Sequence, residues 1–238
     1  MLKFRSYFAE KDAIWKLIIR LGLSLALFAP LVIYNDTYFP FIFPRNIYFR
    51  LIIDIIFPLY LWLVIKNTYQ WPKFNKGLVF FVLFILTLTI SSIFGRHFLF
   101  SFWSTFERMD GLANWYHILM YVIVLLGVNR SEKDWCILFK TSIFVAWIIS
   151  LYALGQAMNL SFFMPSSGGQ RLASTLGNAA YVGSYLFLNI VIASYLVLKK
   201  IQNKDFFSWG VFYYGLGIIL FTAILLATET RGAFLGLS

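Results

Sequence analysis

The sequence predicts an all-α fold, a polytopic transmembrane helical bundle, on three observations. Of the 238 residues, 61% are hydrophobic and only 13% are charged, whereas a soluble domain has about 25% charged residues. Uncharged stretches close to the ~20-residue spanning length recur along the chain. These stretches are apolar on all sides and longer than the ~10-residue alternating strands of a membrane barrel. The composition excludes an ordinary soluble enzyme, a disordered chain and a disulfide scaffold.

About seven complete spans are predicted, together with the start of an eighth. They lie near residues 14–34, 46–65, 77–95, 112–128, 135–158, 178–198 and 206–228, with 232–238 beginning another. Residues 1–238 are interpreted as a single transmembrane domain, and the interrupted last span suggests the first part of a longer protein. The charged tail before the first span lacks a small-residue cleavage site, which favours an uncleaved signal anchor.

The spans differ in how much charge they carry. The first contains Lys16 and Arg20 near one end, and the second contains Arg50 and Asp54. The third, sixth and seventh carry no charge, the fourth carries only His117, and the fifth is clean after its first turns. Ionisable residues inside a span are candidates for function.

Charge sorting predicts a cytoplasmic N-terminus. With that orientation most of the 20 Lys and Arg residues lie on the inside, as the positive-inside rule requires. Basic loops facing anionic lipid then explain the net charge of +10 without a nucleic-acid partner. The cations left outside are all arginines: Arg45, Arg50, Arg96, Arg108, Arg171 and Arg231.

Guanidinium is a planar, permanently charged fork that suits phosphate groups, so the outside arginines predict a site for a phosphorylated lipid. Arg45 and Arg50 flank an aromatic interfacial stretch, and snorkelling at helix ends is the favoured alternative for both. For Arg96 the two interpretations stay open.

Three outside clusters are the candidate site. Residues 101–111 contain Glu107, Arg108 and Asp110, with a self-neutralised interfacial turn as the alternative. Residues 166–178 contain Arg171 and end on Asn178.

Asn178 stands at a predicted helix N-terminus, where free backbone N–H groups favour anions. The alternative there is plain N-capping by Asn178. The third cluster, residues 228–232, places Arg231 between two apolar runs. A Glu229–Arg231 pair that only closes a helical hairpin is its alternative.

At these clusters the chain resembles the O-antigen ligase / O-antigen polymerase family of bacterial inner-membrane glycosyltransferases. The motif residues that carry the resemblance are Trp103, Glu107, Arg108, Gly111, Arg171, Thr175, Gly177, Asn178, Tyr181, Thr230, Arg231 and Gly232. Each motif is short, and the match rests on their order and on their shared face, from about residue 75 onward.

The resemblance implies transfer of a glycan from an undecaprenyl-diphosphate carrier to a glycan, lipid or protein acceptor on the periplasmic side of the inner membrane, in lipopolysaccharide biosynthesis. It implies no metal, cofactor or nucleotide sugar. The expected substrate-binding residues are Arg171 and Arg231, then Arg108 oriented by Glu107 or Asp110, and Asn178. The family's histidine in a later periplasmic loop has no counterpart here, since His97 and His117 lie upstream. We therefore assign no catalytic base.

Two other interpretations stay open. A secondary transporter or flippase for an anionic or lipid-linked substrate would use charges within spans, and Arg20, Asp54 and Lys140 are such charges. The other interpretation is a structural membrane subunit without a binding site. In that case the absence of lysine from the outer side is chance.

Overall fold

The computed structural model describes residues 2–105, 108–160, 163, 171–230, 232 and 236, with side chains described from residue 13 onward. The helices in this part are α1 (Leu2–Ala26), α2 (Phe43–Ile65), α3 (Lys76–Ile93), α4 (Phe98–Trp103), α5 (Leu112–Val128), α6 (Glu132–Ala157), α7 (Ala179–Gln202) and α8 (Trp209–Ala227). Short 3-10 turns form at Ala29–Leu31 and Ser174–Leu176. Five helices, namely α2, α3, α6, α7 and α8, are long and apolar enough to cross a membrane. The prediction of an all-α, multi-pass membrane protein is confirmed.

The predicted spans coincide with helices, with shifts at their ends. The largest shift is in the first span, predicted over 14–34, because α1 begins at Leu2 and already ends at Ala26. Pro30 follows in a 3-10 turn, and proline lacks the N–H that would continue an α-helix. The short helix α4 was not predicted. Of the predicted eighth span, 232–238, only Gly232 and Gly236 are described.

Local capping explains where several helices begin. The side chain of Asn75 accepts a hydrogen bond from the Leu78 amide at 2.8 Å and caps α3. Before α6, the Asp134 amide donates to Ser131 Oγ at 3.2 Å, and the Ser131 amide donates to Asp134 Oδ2 at 3.2 Å. This reciprocal pattern satisfies amides that lack partners within the helix. Pro44 lies in the first turn of α2, where a missing N–H costs nothing.

The chain divides into two compact units, residues 1–29 with 34–134 and residues 30–33 with 135–238. In the first unit, α2 packs on α1 and α5, and α5 also contacts α3 and α4. Tyr60 of α2 is fully buried and donates to the Gln70 carbonyl at 2.9 Å. A Cβ on Gly127 would lie 2.0 Å from the Tyr60 hydroxyl oxygen, so α5 approaches α2 only because residue 127 has no side chain.

Arg130 ties the loop between α2 and α3 to the end of α5. Its Nη1 donates to Gln70 Oε1 at 3.0 Å, and its Nη2 donates to the carbonyls of Gln70 at 3.1 Å and Trp71 at 3.2 Å. With the cytoplasmic N-terminus that charge sorting predicts, both segments face the cytoplasm, and these contacts place them at the same end of the unit.

Arg130→Lys is expected to lower the free energy of unfolding by about 1 kcal/mol, a small value because Arg130 is solvent-exposed. Lysine keeps the charge but cannot reach several acceptors in one plane. Denaturant titration of the purified protein measures the change. Lys133→Ala, an exposed cation on the next helix start, is the matched control and should leave stability unchanged. Equal losses of stability in the two variants would contradict the role of the Arg130 guanidinium in joining the two segments.

The second unit has its core between α6, α7 and α8, with Ile143, Leu186 and Phe221 fully buried within it. One polar contact crosses this interior, since Ser142 Oγ donates to Asn189 Oδ1 at 2.7 Å. At the predicted cytoplasmic end, Lys200 Nζ donates to Asp205 Oδ2 at 2.6 Å. That hydrogen bond holds the pKa of Asp205 below its usual value, so the carboxylate stays ionised at neutral pH.

Candidate functional site

Two of the three sequence clusters, residues 166–178 and 228–232, belong to the second unit, and Arg171 joins them. Its Nε donates to the Thr228 carbonyl at 2.9 Å. Its Nη2 lies 3.5 Å from both the Glu229 carbonyl and Thr230 Oγ1. The segment that follows α8 is therefore bound to a residue 57 positions earlier in the chain. The three contacted atoms are two backbone carbonyl oxygens and one hydroxyl oxygen, all of which can accept hydrogen bonds.

The segment after Arg171 is held by α6. The Ser174 amide donates to Gln156 Oε1 at 2.7 Å, and Ser174 Oγ donates to the Ile149 carbonyl at 2.6 Å. The turn Ser174–Leu176 is buried as a result. Gly177 follows with φ 69°, a left-handed conformation that glycine adopts without strain. These contacts fix the start of α7 beside Arg171.

Asn178 is the N-cap of α7. Its side-chain oxygen accepts a hydrogen bond from the Ala180 amide at 2.8 Å, and the residue is exposed. The arrangement is the capping alternative that the sequence left open. That oxygen is an acceptor, so it does not itself offer a proton to an anion. Its role as a substrate-binding residue stays a prediction.

The end of α8 lies directly on the first turns of α7. Thr230 Oγ1 donates to the Ala179 carbonyl at 3.3 Å, and Thr228, which is fully buried, donates to the Leu225 carbonyl at 2.7 Å. A Cβ on Gly183 would be 3.1 Å from Thr228 Oγ1 and from Thr230 Oγ1. Glycine at position 183 thus sets the close approach that brings Thr228 and Thr230 to Arg171.

The first cluster lies in the first unit, at the loop before α5. The Arg108 carbonyl accepts from Asn46 Nδ2 at 2.7 Å, and the Arg108 guanidinium carbon is 5.5 Å from the centre of the Phe39 ring. Asp110 accepts a short hydrogen bond from Ser104 Oγ. The predicted partner Glu107 lies outside the described residues, as does Arg231 of the third cluster.

Sequence reasoning assigned Arg50 to membrane anchoring and missed its contacts with this loop. Its Nη2 donates to the Met109 carbonyl in a short hydrogen bond, and its Nε donates to Asn114 Oδ1 at 3.4 Å. Four residues on, Asp54 contacts His117 at 3.2 Å. The signal available in the sequence was this four-residue spacing, which places both charges of the second span on one helix face.

The part of the chain that the structure describes contains no convergence of three His, Cys, Asp or Glu side chains. Neither a protein-family model, nor a curated protein, nor a solved structure matches this sequence. The resemblance to the O-antigen ligases therefore rests on the three motifs and their placement.

Proposed function

We propose that this protein is an O-antigen ligase-like glycosyltransferase of the bacterial inner membrane. It takes a glycan from an undecaprenyl-diphosphate carrier and transfers it to an acceptor hydroxyl on the periplasmic face. One observation supports this above the others: Arg171 Nε donates to the Thr228 carbonyl at 2.9 Å. The contact brings the second and third motifs together, as a shared binding site requires.

The proposed chemistry follows from where charge develops. Breaking the bond between the sugar and the diphosphate leaves negative charge on the departing phosphate. A fixed guanidinium in a site of low dielectric stabilises that charge, because its orientation costs nothing at the moment of reaction. Arg171 is oriented by oxygens of Thr228, Glu229 and Thr230. In the proposal Arg231 is its partner in the clamp, and the acceptor's general base is not assigned.

The charge distribution supports the periplasmic location of the site. Arg171 and Arg108 belong to loops on the predicted outer side, where every cation is an arginine. Lysines occupy the opposite side, as expected for cytoplasmic loops. Sorting of charge alone does not select arginine over lysine on the outer side. A phosphate site does, because guanidinium can bind a phosphate group through two hydrogen bonds.

Arg171→Lys is expected to weaken binding of undecaprenyl diphosphate at least about tenfold, since lysine keeps the charge but loses the fork. The measurement is titration of the carrier lipid into protein reconstituted in nanodiscs. Arg45→Lys is the matched control, because Arg45 is an outer arginine for which membrane anchoring is the favoured interpretation. Size-exclusion profiles of both variants check folding. Wild-type affinity in a folded Arg171→Lys protein would refute the proposed clamp.

A transporter for a lipid-linked substrate is the second candidate, and one observation favours it. Asp54 and His117 form a 3.2 Å contact within the helices α2 and α5. Ionisable pairs inside a membrane are common in proton-coupled carriers. Movement of a carrier lipid between leaflets of vesicles, without loss of its glycan, would support this candidate over the transferase.

A further inference from the structure

The contact between Asp54 and His117 lies at the middle of α2, on the surface of the first unit. Asp54 is the middle residue of α2 (Phe43–Ile65), which places it about 16 Å from either end of the helix. Its Oδ1 is 3.2 Å from His117 Nε2. The other ring nitrogen of His117, Nδ1, is 2.7 Å from the Ala113 carbonyl oxygen. Both nitrogens of one imidazole therefore face oxygen atoms.

These two contacts fix the number of protons on the pair. A carbonyl oxygen only accepts hydrogen bonds, and so does an ionised carboxylate. A neutral imidazole has a single N–H, so opposite an ionised Asp54 it could satisfy one contact but not both. Two arrangements satisfy both contacts. Either His117 is an imidazolium opposite a carboxylate, or Asp54 is a carboxylic acid that donates to Nε2 while Nδ1–H donates to Ala113. Each holds one proton more than a neutral imidazole and a carboxylate.

The position of the pair in the membrane favours that extra proton. The Asp54 side chain is 58% exposed at the surface and that of His117 is 18% exposed. At the centre of a membrane-spanning helix, an exposed carboxylate is not surrounded by bulk water. A negative charge there is costly unless it is paired or neutralised. The additional proton makes the pair neutral as a whole.

The charged groups around the pair leave this balance in place. Arg50, one turn earlier on α2, lies within electrostatic range of both Asp54 and Asp110, and the effect of Asp54 is the larger of the two. The positive charge of Arg50 therefore favours the arrangement in which Asp54 is ionised and His117 carries the proton. On α1, Arg20 is paired with Asp134 at 3.2 Å. Further charged groups on the neighbouring elements include Lys16 of α1, beside the Tyr69 ring, Arg45 near the start of α2, Lys66 at its end, Arg108 of the loop, over Phe39, and Lys76 at the first residue of α3. The sequence of α1 also contains Lys3, Arg5, Glu10, Lys11 and Asp12 in its first half. The sequence of α4 contains no ionisable residue.

We propose that Asp54 and His117 form a proton-binding site within the membrane, which holds one proton between His117 Nε2 and Asp54 Oδ1. The site links α2 to α5, and loss of the proton would leave only one of the two contacts of the His117 ring satisfied. This inference goes beyond the proposed glycosyltransferase function and does not depend on it. Its ligand is a proton, and its test needs neither a donor lipid nor an acceptor.

The test uses the full chain with His97→Gln, which leaves His117 as the only histidine. Solid-state NMR of ¹⁵N-histidine in lipid vesicles at neutral pH reports which ring nitrogens carry protons. The expected spectrum shows either both nitrogens protonated, or Nδ1 protonated together with an infrared carboxylic-acid band from Asp54. Asp54→Asn should reduce the population that carries the extra proton at least about fivefold, because the amide cannot stabilise an imidazolium by charge.

Asp36→Asn is the matched control, because it removes an exposed carboxylate from the loop after α1 and should leave the spectrum unchanged. A His117 ring protonated only on Nε2 would overturn the proposal, since the pair would then lack the additional proton. Nδ1 protonation without an acid band would overturn it as well. The histidine and infrared spectra of the His97→Gln protein decide the question even if Asp54→Asn does not fold.

Discussion

Gly183→Leu is expected to lower the free energy of unfolding by at least about 2 kcal/mol and to separate the end of α8 from α7, because overpacking a filled interior is costly. A Cβ at position 183 would already lie 3.1 Å from Thr228 Oγ1, Thr230 Cβ and Thr230 Oγ1. The leucine side chain would add further carbons in the same direction. Thr228 is fully buried, so the segment that binds Arg171 must shift to admit the leucine.

Two measurements check this expectation. Denaturant titration gives the loss of stability, and hydrogen–deuterium exchange of the peptide containing Thr228 and Thr230 should become faster. Ser184→Leu is the matched control, because Ser184 is the next residue of α7 and is exposed. The same leucine there should change neither quantity. Unchanged exchange at Thr228 in Gly183→Leu would show that the close approach is not what holds this segment.

Gly111→Ala is expected to lower the free energy of unfolding by about 1–3 kcal/mol, the usual cost of a methyl group inserted without space. The new Cβ would lie 2.5 Å from the Phe102 carbonyl oxygen and 2.7 Å from the Ser104 amide nitrogen. Both are backbone atoms, so no side-chain rotation can relieve the overlap. The loop that carries Arg108 must move, and this movement would weaken the hydrogen bond from Asn46 Nδ2 to the Arg108 carbonyl.

Thermal unfolding in detergent measures the effect, at about 2–4 °C for each kcal/mol in a chain of this size. Gly215→Ala adds the same methyl group in α8, where nothing lies within 4 Å of the new Cβ. That substitution should leave the midpoint unchanged or raise it, because alanine favours helix over glycine. A midpoint for Gly111→Ala equal to that of Gly215→Ala would contradict the steric argument.

Much of the fold could be predicted because the membrane imposes simple rules on the sequence. A span must be about 20 residues long and apolar, and α3, α7 and α8 follow from that rule alone. The end of α1 could not be placed in the same way, because apolar residues continue through Ala26 to Pro30. Hydropathy does not change at Ala26, whereas the backbone leaves the α-helical conformation there. The short helix α4 is likewise too brief for periodicity to be recognised.

The candidate site was predictable in its residue types but not in its contacts. The sequence singled out Arg171, Asn178 and Arg231 from their position at the ends of spans. It gave no reason to expect that Arg171 would bind the Thr228 carbonyl, since a backbone acceptor carries no sequence signal. The same holds for Arg50, whose acceptor at Met109 is also a carbonyl.

The sequence by itself determined that this is an all-α, multi-pass membrane protein with arginines grouped at one predicted side, because length, apolarity and charge sorting act on each segment separately. Only the tertiary structure decided which segments meet: Arg171 with Thr228, and Asp54 with His117. Each of these contacts joins residues far apart in the chain, and helix packing sets their distance. Packing depends on small residues such as Gly183 and Gly127, whose effect is visible only when the facing helix is in place.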